Sequence, residues 1–288
     1  MLFLPSQGGK LFRLLSFVFG LMSEKTIFAP MTAYEYIKYF LTSKGRHSFH
    51  SPFVYDFTDK CLTLKLDKKF ANLQKEQQKA LKNDRSTFEM TDFGAGSRTL
   101  GTTRSVQKVY KSAATKGVFL DVLTQITAFY KPKNVLELGT SLGVGTFALT
   151  YGSEHVVTVD ACPETQSFAK KHFPKTPAKV EFVNTVFEDF ITHDTKVYDL
   201  IFIDGHHDGT ALMRYLKLLE KNSHDETIFI LDDIRWSKGM LTAWNKIISD
   251  EKYHLSMDLF KFGIVLKRQH QNKQHFVVRL RNVLKSLI

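Results

Sequence analysis

The chain has 288 residues, 43% of them hydrophobic, with 40 Lys and Arg against 29 Asp and Glu for a formal net charge of +11, and two cysteines. That apolar content excludes disorder and suits one α/β domain with a smaller appendage. Cys61 and Cys162, distant and without CxxC or His-rich spacing, exclude a disulfide framework and a zinc site and fit a reducing, cytoplasmic setting. In chain order, "LFRLLSFVFGLM" (11–22) is too short to span a bilayer and no small-residue cleavage site follows it. Residues 1–30 are read as an extension: a signal h-region, an amphipathic surface helix or, the favoured reading, translated sequence upstream of a true start at Met22 or Met31.

Residues 31–116 read as a mostly helical, polar cap region. "TAYEYIKYFLTS" spaces Tyr34, Ile37 and Leu41 by three and four, the rhythm of a helix face. Pro52 ends a basic, His-containing loop, "KGRHSFHSPF" (44–53), expected to cover the site together with the N-terminal helices, and 72–85 read as an exposed helix. The Gly-, Ser- and Thr-rich "STFEMTDFGAGSRTLGTTRS" reads as a loop lying over the site.

From residue 117 short apolar runs alternate with helical stretches, as in a mainly parallel sheet covered by helices. The expected strands are 134–138, 155–160, 179–184, 199–204, 227–232, 254–260 and 263–268. The last two are joined by Lys261 and Phe262 alone, too short for a crossover, so they should pair antiparallel. The predicted fold is a Rossmann-like seven-stranded, mostly parallel sheet with a terminal antiparallel hairpin, helices on both faces and an N-terminal helical extension. Its domain spans 117–268. Residues 269–288 are left as a basic tail; 261–288 hold seven Lys or Arg and no Asp or Glu. Such a segment can meet nucleic acid, an anionic membrane surface or an acidic partner, and is more often a solvated end.

Ligands of such a sheet bind beyond the strands' carboxyl ends, where strand order reverses. The first strand ends in "VLELGTSLGVGT" (135–146), whose G-x-x-x-G-x-G spacing differs from the dinucleotide fingerprint, so pyrophosphate is not the natural guest. Glu137, two residues before Gly139, either binds a cationic ligand or holds the loop. Asp160 ends the second strand 23 positions on, where a carboxylate can accept both ribose hydroxyls. Together these residues resemble the S-adenosylmethionine site of class I methyltransferases. The resemblance implies a cofactor site of Glu137, Gly139, Thr140, Ser141, Gly143, Asp160, Ala161 and Asp204, with Phe187 and Glu188 of "NTVFEDF" (184–190) facing adenine unless Phe187 is simply core.

The fourth strand delivers Asp204 in "FIDGHHDG" and the fifth delivers Asp232 and Asp233 in "DDIRW". Three carboxylates on one sheet edge repel unless a cation joins them, and hard oxygen ligands suit Mg²⁺ or another divalent cation. The 28-residue spacing from Asp204 to Asp232, with Trp236 close behind, resembles the metal-dependent O-methyltransferases of the catechol and caffeoyl-coenzyme A type. Asp233 stands for that family's Asn, and His207 for its catalytic lysine. An imidazole can take a hydroxyl proton near neutral pH. The alternatives are an exposed loop histidine at 207, and aspartates that merely order loops or cap helices, Asp208 among them.

The expected function is S-adenosylmethionine-dependent O-methylation of a small hydroxylated acceptor held by Mg²⁺ on Asp204, Asp232 and Asp233, with His207 as base and Asp204 beside it. His47, His50 and Trp236 are the candidate acceptor contacts, and Arg46, His47 and Arg235 candidate anion contacts, unless Arg235 simply neutralises the acidic cluster. The rivals are a nucleic-acid methyltransferase using the basic C-terminal segment, which the missing recognition motifs disfavour, and a non-catalytic binding protein of the same fold. Peripheral membrane contact through 276–288 stays open, and since many methyltransferases of this fold dimerise, so does a homodimer.

Overall fold

A computed structural model describes residues 30–92, 99–283 and 286. The expectations for 1–29 and for the glycine run within 93–98 lie outside those residues. Chain order is α1 (Pro30–Thr42), α2 (Pro52–Asp56, continued by a π turn to Cys61), α3 (Lys68–Asn83), β1 (Thr87–Asp92), β2 (Thr99–Ser105), α4 (Val106–Ala113) and α5 (Gly117–Tyr130). There follow β3 (Asn134–Leu138), α6 (Val144–Leu149), β4 (His155–Asp160), α7 (Pro163–Lys171), β5 (Lys179–Asn184), α8 (Phe187–His193), β6 (Tyr198–Ile203) and α9 (Gly209–Leu218). Last come β7 (Ser223–Leu231), α10 (Lys238–Ser249), β8 (Leu255–Asp258), β9 (Gly263–Leu266) and β10 (Gln274–Val277).

The main sheet runs β10-β8-β9-β7-β6-β3-β4-β5, with β9 the reversed strand. All seven expected strands are present. The chain winds outward from β3 through β4 to β5 and then returns to β6 on the other side of β3, which puts the reversal of strand order between β3 and β6. Strand side chains alternate between two cores. Val135, Val156, Leu200, Phe202 and Ile230 pack on the face covered by the N-terminal helices, while Leu136, Val157, Ile201, Phe229 and Leu231 pack on the face covered by α8, α9 and α10.

Four readings change. Residues 269–288, taken as a tail, supply β10, which pairs parallel with β8 and makes an eighth strand. Beyond it Val278, Leu280 and Val283 are buried. The Tyr39 hydroxyl donates to Val278 O at 2.6 Å and accepts from Leu280 N at 3.0 Å, tying α1 to this segment. In α1 the buried face is Glu35, Tyr36 and Tyr39, whereas Tyr34 and Leu41 are exposed. The stretch read as a loop after α3 is an antiparallel hairpin, β1 with β2, whose Phe88 meets Phe168 of α7.

The 44–53 loop is not a lid over the strand ends. Phe49 packs edge-on against Phe276 of β10, and Phe53 stacks on Tyr130 with Arg268 over its other side. Tyr130 shortly precedes β3 and Arg268 follows the reversed strand β9, so Phe53 marks the amino edge of the sheet.

Candidate active site

The loop after β3 is shaped by close approach. Gly139 has φ +116°, and a Cβ there would meet Asp204 O at 1.9 Å, so only glycine lets the β3 and β6 ends lie this close. Gly143 (φ +75°) opens α6. Glu137 is buried beneath the loop, accepting hydrogen bonds from Thr146 and, at 2.6 Å, from Thr158 Oγ1. Burial raises its carboxyl to about 8, against the threonine hydroxyls. Through these bonds Glu137 holds the loop.

Asp160 closes the other side. Its Oδ2 accepts from Ser141 N and its Oδ1 from Cys162 N, both at 2.8 Å, which clamps the β3 and β4 loops together. Burial raises its carboxyl, opposed by those amides and that of Thr140. A cavity of about 470 Å³ opens beyond these strand ends, lined among others by Gly139, Ser141, Asp160 and Ala161 on one side and by Asp204 and His207 on the other. Thr140 and Gly143 are not among its lining residues, and Thr140 instead shares a 2.7 Å hydroxyl contact with Thr158.

Phe187 is partly buried against the core and borders the cavity. Its ring lies against Gly205, where a Cβ would approach within 2.6 Å, and packs edge-on to Tyr215. Glu188 lines the same wall and is paired with Arg214. The cap contributes Arg104 of β2 and Val109, Ser112 and Ala113 of α4. These were not singled out in the sequence, because nothing local marks a cap helix as the one that meets the strand ends.

At the acceptor end the three aspartates meet as expected, but the cation they share is Lys261. Its ammonium contacts both carboxylate oxygens of Asp232 and lies 3.3 Å from Asp233 Oδ1. Asp204 accepts from Thr115 Oγ1 at 3.3 Å. Burial raises all three carboxyls, Asp232 to about 7, and Lys261 opposes the rise at each. Burial by itself would lower the Lys261 ammonium, but the three carboxylates outweigh it and hold the group above its usual value.

The residues present do not fit the expected Mg²⁺. A divalent ion would need the Asp232 and Asp233 oxygens that the ammonium already holds, in a place where both side chains are largely buried. Among the described residues, the acidic and His trio whose ligand atoms lie within 4.8 Å of one another is Asp225, Glu226 and His270, at the opposite edge of the sheet.

His207 lines the cavity with Nδ1 3.7 Å from Asp233 Oδ2 and its ring 5.8 Å from that of Trp236, which is 62% exposed. His206, His207 and Asp233 all have positive φ, at 67°, 33° and 52°, so two adjoining strand ends hold strained backbone at this spot. His206 is engaged elsewhere, with the Tyr215 hydroxyl. Asp208 and Ser237 cap α9 and α10.

One expected acceptor contact is not brought here. His50 is absent from the cavity wall, and its loop packs on β10 and on Tyr130; of His47 only the backbone, in a single 3-10 turn, is described. Arg235 is no anion contact: it forks onto Asp258 at 2.8 and 2.6 Å, donates to Phe260 O at 2.7 Å and faces Glu35 at 3.5 Å. Arg46 pairs with Asp59.

Residues 136–234, from β3 to the turn after β7, match the family described as a methyltransferase domain. Among solved structures, the O-methyltransferase TomG from Streptomyces achromogenes, involved in tomaymycin synthesis and in complex with S-adenosylmethionine, aligns at TM-score 0.50 and 13% identity over 72% of this chain and 92% of its own. An O-methyltransferase from Bacillus cereus aligns at 0.48 and 17% over 74% and 96%, and a methyltransferase of Podospora anserina at 0.49 and 15% over 76% and 96%. No curated protein matches the chain.

Proposed function

We propose that this chain, which carries a class I S-adenosylmethionine-dependent methyltransferase domain, methylates the hydroxyl of a small acceptor. When bound, the cofactor supplies an electrophilic sulfonium methyl. The observation that carries the reading is one cavity with the Asp160-clamped glycine loop at one end and, at the other, His207, whose ring is backed by Asp233 from outside the wall.

Asp160 and the loop amides would seat the ribose end of the cofactor, Phe187 would cover its base, and Asp204 would border the methyl-bearing end. His207 Nδ1 faces Asp233, which leaves Nε2 to take the acceptor's proton. Held by Asp160, Phe187 and the loop amides, the cofactor would supply its methyl group in line with the acceptor oxygen that His207 relieves of its proton. Such an in-line displacement asks the protein mainly for alignment and a proton acceptor. Trp236, exposed beside His207, offers a flat apolar wall to an aromatic or otherwise flat acceptor.

Calorimetry of S-adenosylmethionine binding to wild type and to Asp160→Ala tests the reading, with unfolding curves run on both. Affinity should fall about tenfold or more, roughly 1.4 kcal/mol, in a variant that still folds. A folded wild type that binds no cofactor would refute methyl transfer.

A further inference from the structure

The aspartate cluster has lost nearly all its room for a guest. Asp232 Oδ1 takes Lys261 and the Asp233 amide, the latter at 2.7 Å, and Asp232 Oδ2 takes Lys261 again. Asp233 Oδ1 faces Lys261, Asp233 Oδ2 faces His207, and Asp204 Oδ2 accepts from Thr115. The lysine is held there by the fold. It sits in the turn between β8 and β9, its carbonyl accepts from Ile234 N at 3.1 Å, and β9 is the strand that pairs with β7. The turn is thereby fastened to the same loop that carries Asp232 and Asp233.

We propose that the Lys261 ammonium is a built-in cation that takes the place of a divalent metal at this strand edge, making the enzyme metal-independent and leaving proton removal to His207. The chemistry follows from what an ammonium can do. It balances buried carboxylates and donates hydrogen bonds, but it has no vacant coordination position and cannot acidify a bound hydroxyl as a metal does. A base is then needed, and the same ammonium fixes Asp233, which faces the His207 ring. Lys261 is a positioning residue acting through Asp233. The inference rests on the methyl-transfer reading for its meaning, but its test needs no turnover.

Mn²⁺ binding, read from the loss of the free-ion paramagnetic resonance signal with cofactor present, decides it. All proteins carry Asp225→Ala, to remove the exposed trio at the opposite edge. With Lys261 intact, no Mn²⁺ site sensitive to Asp232→Asn is expected. Lys261→Ala should gain one, at least tenfold tighter than any residual binding, abolished again by Asp232→Asn, and Mn²⁺ should raise that variant's melting temperature. Should three unpaired carboxylates prevent folding, Lys261→Ala/Asp204→Asn carries one charge fewer and keeps the Asp232 and Asp233 oxygens. An Asp232-dependent Mn²⁺ site in the Lys261 protein overturns the proposal, as does a folded Lys261→Ala protein, or its lighter form, that gains none. Cofactor calorimetry on the same samples separates this from failure of the methyl-transfer reading, which would show as absent cofactor binding whatever Mn²⁺ does.

Discussion

Glu137 shows how one buried carboxyl supports a loop and ties stability to pH. Burial lifts it from an ordinary 4.5 to about 8, so between those values the folded protein keeps a proton that the unfolded chain releases. Stability contributed by this group is therefore present at low pH and falls as pH rises through that window, by up to about 1.4 kcal/mol per unit. Glu137→Gln removes the titration and keeps an acceptor for Thr146 and Thr158. Its melting temperature relative to wild type should climb from pH 6 to pH 9; a flat difference would mean Glu137 does not titrate there. At the acceptor end, His207→Ala should lower kcat by about 10²–10⁴ while leaving cofactor affinity unchanged, and Asp233→Asn should lower it less. Those rates are read with an acceptor taken from a screen of flat hydroxylated compounds.

Among elements, the turn after β7 does two jobs with neighbouring side chains: Asp232 and Asp233 hold Lys261, and Arg235 turns back to Asp258 of β8 and Glu35 of α1. Removing Arg235 leaves Asp258 and Glu35, both largely buried, without their counter-charge. Arg235→Leu should cost about 3–5 kcal/mol in denaturant unfolding. The central strands and their Asp ends were legible because each is a local apolar run closed by a carboxylate. Lys261 is legible there only as a hairpin link. Its meeting with Asp232 depends on β9 lying next to β7, a fact of strand order that no window of sequence contains. β10 escaped for another reason. "QHFV" is a polar edge strand without a sustained apolar alternation, and its tie to the sheet is the backbone pairing with β8. The β1–β2 hairpin is similarly polar, so its Thr and Gly content spoke for a loop.

Across the whole molecule, much of the basic C-terminal segment is spent on packing. Arg279 donates to the carbonyls of Phe40 and Ser43 at 2.7 Å each, at the carboxyl end of α1, where a cation is favourable. Arg268 lies over Phe53 and pairs with Glu226. Truncation after Gln269 should therefore lower the melting temperature by several degrees and open α1 to trypsin at Lys38, as followed by limited proteolysis; an unchanged digestion pattern would show that α1 holds without the strap. Among the described residues no helix is long and apolar enough to cross a membrane.

The Tyr39 hydroxyl bridges two backbone groups 239 and 241 residues further along the chain. During synthesis α1 leaves the ribosome early, but its docking partners, Arg235, Phe260 and residues 278–280, follow only after most of the sheet has been made. The nascent chain must then carry the apolar face of Tyr36 and Tyr39 uncovered through most of translation, a period in which a holding chaperone would find it accessible. Pausing the ribosome late in the message, rather than early, is where such a chain would be most sensitive to misassembly.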